Sequence, residues 1–108
     1  MRHPIQDRLQ VSMDKIADFC RHWQIVEFAL FGSVLRDDFR PDSDIDVLVT
    51  FAFDAKWSLL DHVRMEKELG SLFGRPVDLV SKRAVEESGN WIRRREILTD
   101  AQPIYVPR

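Results

Sequence analysis

Residues Ile45 to Phe51 constrain the fold more than any other segment of the chain. Ile45, Val47, Val49 and Phe51 alternate with Asp46, Leu48 and Thr50. A period of two marks a β-strand whose two sets face opposite sides of a sheet. The first set is wholly apolar and requires a covering layer. The second begins with a carboxylate, and Asp44, two residues earlier, falls on the same face.

The remaining elements are read around that strand. Val26 to Phe31 is short, aromatic and β-branched and ends at Gly32, which suits a buried strand. Pro4 opens a first helix, with Ile5, Leu9, Met13, Ile16, Cys20 and Trp23 in one apolar stripe. Cys20 and Trp23 are therefore expected in the core. Ser58-Leu59-Leu60-Asp61 reads as a capping box opening a helix to about Phe73. The stripe of that helix is untidy, because Glu66 falls near the middle of its buried face. Gly74-Arg75-Pro76 turns the chain into a third strand, Val77 to Val80. A polar stretch around Ser88-Gly89-Asn90 precedes a last helix from Trp91 to about Thr99. Pro103 to Val106 forms a short edge strand or an extended tail. This order predicts an α/β (α+β) fold in which helices flank a small mixed sheet.

Size and charge narrow the class. At 108 residues the chain is expected to be one domain, residues 1–108, able to bury roughly two-thirds of its unfolded surface. With 16 basic and 18 acidic residues the net charge is -2, against the basic excess of a general nucleic-acid binder. Cys20 is the only cysteine, so no internal disulfide can form, and no Cys/His zinc spacing occurs. No apolar run is long enough to span a bilayer and the N-terminus lacks a signal-peptide core, so a cytoplasmic, membrane-free protein is expected.

The chemistry is concentrated between residues 32 and 46. Gly32-Ser33 closes one strand, ten residues intervene (34–43), and Asp44-Ile45-Asp46 opens the next. Two carboxylates on one strand face, about 6.5 Å apart at Cα, can hold one hard cation or bracket two. Mg²⁺ is expected, since it suits carboxylate oxygens and keeps positions open for further oxygen ligands. Gly32 has no side chain to keep a phosphate away, and Ser33 adds a hydroxyl donor. A helix starting there would present free N–H groups to phosphate. Arg36, one turn later, can pair with a phosphate. Ser43 caps the turn before Asp44, or adds a second hydroxyl to these phosphate contacts.

The Gly-Ser-x10-Asp-x-Asp pattern resembles the signature of the polymerase-β-like nucleotidyltransferases. The segment Arg40-Pro41-Asp42-Ser43-Asp44-Ile45-Asp46-Val47 is similar to the minimal nucleotidyltransferase (MNT) family. So are Arg75-Pro76-Val77-Asp78-Leu79-Val80 and the ending Ala101-Gln102-Pro103-Ile104-Tyr105, and the resemblance covers nearly the whole chain. It implies that Asp78, on a downstream strand, is a third acid beside Asp44 and Asp46, ligating the metal and helping to deprotonate the acceptor. Three such acids repel one another unless a cation lies between them.

The resemblance further implies an antitoxin whose partner is a small helical HEPN-domain toxin. In that family AMP passes from ATP to a tyrosine of the toxin. One departure stands out: Asp37 occupies a loop position where the family commonly has glycine, which keeps open a second reading, neutralisation by binding alone. A third, transfer to a small molecule or an RNA 3′ end, belongs to relatives with an additional domain. Outside the motif, Arg93, Arg94 and Arg95 read as a solvated helix face or a contact for an acidic partner. Trp57 and Trp91 are expected to pack the core, with Trp57 alternatively reaching a nucleotide base. His3, His22 and His62 share no ligand spacing.

Overall fold

The computed structural model describes residues 11–35 and 43–106. Helix α1 spans Met13–His22, β1 Ile25–Phe31, and a 3-10 turn Gly32–Leu35. Strand β2 covers Ile45–Phe51 and α2 Leu59–Phe73, followed by β3 (Val77–Ser81), α3 (Lys82–Glu86), α4 (Trp91–Asp100) and β4 (Gln102–Tyr105).

The four strands form one mixed sheet in the order β3-β2-β1-β4. β1 pairs antiparallel with both β2 and β4, whereas β2 and β3 are parallel. A parallel neighbour needs a crossover, and α2 supplies it. The ending 102–105 is thus an edge strand, one of the two readings its sequence allowed.

Each sheet face has its own core. Ile45, Val47 and Val49 of β2 join Phe28 and Leu30 of β1 and Leu79 of β3 against Ile16, Phe19 and Cys20 of α1 and Met65, Leu69 and Phe73 of α2. On the other face Ala29, Phe31 and Leu48 pack on Val85 of α3 and Ile97 of α4. That second core is small, and α3 and α4 cover it only in part. The Asp46 end of the sheet lies on this thinly covered face.

Local signals explain most element ends. The Ser58 hydroxyl accepts from Asp61 N at 3.2 Å, and the Asp61 carboxylate accepts from Ser58 N at 2.9 Å, a complete capping box. Gly74 ends α2 at φ 70°, a left-handed position that glycine adopts without strain. Glu66, the misfit in the α2 stripe, accepts a hydrogen bond from Leu79 N of edge strand β3 at 2.8 Å.

Two expectations are corrected. The first helix does not run unbroken through residue 12: Ser12 is extended (ψ 132°) and N-caps α1, its side chain accepting from Asp14 N. Ile5 and Leu9 of the expected stripe lie outside the described residues. Trp91 is not in the core but 60% exposed, because α4 turns Ile97 rather than Trp91 toward the sheet. Helix α3 is an element the sequence reading did not assign; Ser81 caps it by accepting from Ala84 N. Cys20 and Trp23 are buried as expected. Trp57 stacks edge-on against Trp23 at 5.1 Å and donates to Trp23 O at 2.9 Å, but its ring stays partly exposed.

Candidate active site

The antiparallel register sets Phe31, the last residue of β1, opposite Asp46. The chain leaves β1 at Gly32, which has φ 78°. A Cβ built there would collide with Asp46 Oδ2 and approach Asp46 Cγ to 3.2 Å. Glycine is therefore required twice at this position, by the backbone and by the carboxylate lying against it. The sequence argument had left that space for a phosphate; the Asp46 carboxylate takes it.

The parallel register places Asp46 of β2 directly beside Asp78 of β3. Register partners share a sheet face, so both carboxylates project from the thinly covered side. Val77 and Leu79, flanking Asp78, point into the main core, as the alternation requires. Asp46 is half-buried; Asp44, just before β2, and Asp78 are exposed. Ser43 is half-buried, and its carbonyl accepts from Arg75 Nη1 at 3.4 Å. Ile45 N also donates to Pro76 O at 3.0 Å. These two bonds tie the start of β2 to the turn before β3, so Arg75 is a positioning residue that the sequence reading quoted but gave no role. Ser33 lies in the 3-10 turn, while Arg36 and Asp37 lie outside the described residues.

A cleft of about 330 Å³ opens beside Asp46, with Gly32 on one side and Arg93, Glu96 and Asp100 of α4 on the other. Helix α4 is thus the far wall of the site, which the sequence reading missed. A larger cleft, about 580 Å³, lies at the other end of β2 between Thr50, Trp57 and Lys82. Trp57 belongs to that second cleft, away from the Asp-x-Asp pair.

The donors near Asp46 are carboxylates, the ligand type suited to Mg²⁺. Among the described residues no group of three or more His, Cys, Asp or Glu side chains is arranged to hold a metal ion. The expected gathering of three acids is therefore not a ready-made cage. Asp46 and Asp78 stand side by side on parallel strands, and Asp44 is exposed just before β2. Oxygen donors beside a glycine turn, faced by an arginine, suit a phosphorylated ligand that arrives with its own divalent cation.

A mixed sheet with its acids at the exposed end of β2 and β3, beside a glycine turn, is the architecture of the nucleotidyltransferases. The chain belongs to the nucleotidyltransferase domain family, whose sequence profile matches residues 13–104, and to its minimal members. A solved protein named as a candidate minimal nucleotidyltransferase is 33% identical, with a TM-score of 0.70 over 96% of this chain and 100% of that one. The protein adenylyltransferase MntA of Thermococcus cleftensis is 40% identical over 60 residues, 56% of this chain and 59% of that protein. The chain therefore spans less than two-thirds of that relative's length. The fold also recurs in a complex of a tri-AMPylated Shewanella oneidensis HEPN toxin with an MNT antitoxin. That match has 23% identity and a TM-score of 0.60, over 87% of this chain and 69% of that one. Among the described residues no helix is long and apolar enough to cross a membrane.

Proposed function

We propose that this protein is an Mg²⁺-dependent adenylyltransferase that moves AMP from ATP onto a tyrosine hydroxyl of a HEPN-type toxin and so serves as its antitoxin in the cytoplasm. The observation that carries the reading is the pairing of Asp46 with Asp78 on adjacent parallel strands, beside the Gly32 turn. The likeness to a named protein adenylyltransferase and to an MNT antitoxin fold supports the choice of donor and acceptor.

In this reading Asp44 and Asp46 hold the cation, with Asp78 as a third ligand. Bound there, the cation would neutralise triphosphate charge as pyrophosphate departs. Ser33, Ser43 and Arg36, the last outside the described residues, bind the nucleotide, while Gly32 gives room for the Asp46 carboxylate. Asp78, exposed toward an incoming partner, accepts the proton of the attacking hydroxyl. The acceptor oxygen bonds to the α-phosphorus, and the bond from that phosphorus to the bridging oxygen of the β-phosphate breaks. The open, shallow site suits a side chain presented by a docked protein, which supplies the alignment such a transfer needs.

The test is intact-mass spectrometry of the toxin after incubation with ATP and Mg²⁺, using wild type and an Asp44→Asn/Asp46→Asn double variant. Added AMP with wild type alone is the expected result. Neutralisation by both proteins with no added mass would replace transfer with stoichiometric binding.

A further inference from the structure

The three consecutive arginines of α4 have different surroundings. Arg94 is committed: its Nη1 donates to Glu86 O at 3.1 Å and Ser88 O at 3.4 Å, holding α4 to the end of α3. Arg95 is exposed and lines neither cleft bordered by Arg93. Arg93 faces the cleft that contains Gly32 and Asp46 and is the only basic side chain among the described residues lining it. Its backbone N–H bonds the Asn90 cap at 3.1 Å. Its guanidinium makes no hydrogen bond or ion pair among the described residues, although Glu96 lies one turn along the same helix and lines the same cleft.

A guanidinium left uncommitted opposite a carboxylate and a glycine turn is placed for an anion that enters between them. It presents five N–H donors in a planar fork matched to phosphate oxygens. Asp46, Glu96 and Asp100 make the rest of the cleft acidic, so a bare anion would be repelled and a cation-bound polyphosphate admitted.

We infer that Arg93 is a phosphate-binding residue of the nucleotide site, reaching from α4 to the β- and γ-phosphates of the bound triphosphate. The inference rests on the nucleotidyltransferase reading and adds a residue from outside the glycine-to-aspartate motif. A competing structural role is open to the same side chain, because it also borders a small apolar cleft with Val80 and Val85. The two roles differ in their dependence on the number of phosphates.

Wild type, Arg93→Ala, Arg93→Lys and Arg95→Ala are titrated calorimetrically with Mg²⁺-ATP, Mg²⁺-ADP and AMP, with folding checked by circular dichroism. Arg93→Ala is expected to lose about tenfold or more in ATP affinity, the scale of a charge-assisted hydrogen bond. The loss should shrink for ADP and vanish for AMP. Arg93→Lys should recover part of the loss, and Arg95→Ala should bind as wild type. Wild-type ATP affinity in Arg93→Ala, or an equal loss for ATP and AMP, overturns the inference while leaving the enzymatic reading standing. Failure of wild type itself to bind Mg²⁺-ATP overturns both.

Discussion

The carboxylate of Asp46 lies where a side chain at Gly32 would begin. This contact joins the end of β1 to the start of β2 and sets the position of the acid, so the conformation of the turn and the geometry of the site are one property. Gly32→Ala should therefore do two things. Forcing a Cβ into the left-handed region costs about 1–2 kcal/mol, read as a lower urea midpoint at unchanged slope. Displacing Asp46 should also weaken Mg²⁺-ATP binding in the folded variant. Unchanged nucleotide affinity would detach the turn from the site.

Asp44→Asn and Asp46→Asn keep side-chain size and remove a charged oxygen. Each should reduce Mg²⁺-ATP affinity on the order of tenfold or more, as expected when a charged partner is lost. Asp78→Asn should differ. If Asp78 chiefly receives the acceptor proton, AMP transfer should fall far more than ATP affinity. Parallel loss of both would make it a metal ligand first. Single-turnover transfer measured beside calorimetry separates the two.

Burial pushes the Cys20 thiol up to about 12 from an ordinary 9.0, against a smaller opposing pull from Arg21. A group held protonated in the fold and released in the unfolded chain contributes stability that is complete below about pH 9. That stability is lost as pH rises toward 12. Unfolding midpoints should decline across that window, and Cys20→Ala should flatten the decline. At pH 8 a thiol reagent should modify native protein only as fast as it opens, and denatured protein rapidly.

The bond from Ser58 N–H, and then that from its hydroxyl, hold the Asp61 carboxyl below the usual carboxylate range. A depressed folded value means its stabilising effect is present above the ordinary carboxyl pKa and is lost as pH falls through the depressed one. Acid titration of Asp61→Asn should show a shallower decline at low pH than wild type. Ser58→Ala should cost about 1 kcal/mol at neutral pH, the usual value of a lost cap. A wild-type midpoint would mean that α2 does not depend on its cap.

The parts of this fold that sequence made legible are those where a local pattern and tertiary packing agree. The alternation of 45–51 defines β2 from end to end, and Ser58 with Asp61 marks the start of α2. Helix α3 was not visible because its five residues contribute one buried side chain, Val85, too few for a period; the Ser81 cap was its available signal. Trp91 was misplaced because apolar character alone does not set the phase of α4. In the site, Gly32, Asp44, Asp46 and Asp78 were singled out by motif and resemblance. The contact of Asp46 with Gly32 depends on the antiparallel register and its register pairing with Asp78 on the crossover, and neither is written in residue spacing. Arg93 enters from a helix whose position follows only from the second core.

The bond that Leu79 N–H donates to Glu66 has a consequence for association at the sheet edge. Leu79 N–H points away from β2, along the outer rim of β3, where a strand from another molecule would begin to pair. The crossover helix that creates this rim also occupies its donor with a negatively charged group. An incoming strand would have to displace that charge before gaining its first hydrogen bond, so this side of the sheet resists edge-to-edge aggregation through one residue that spoils the apolar stripe of its own helix.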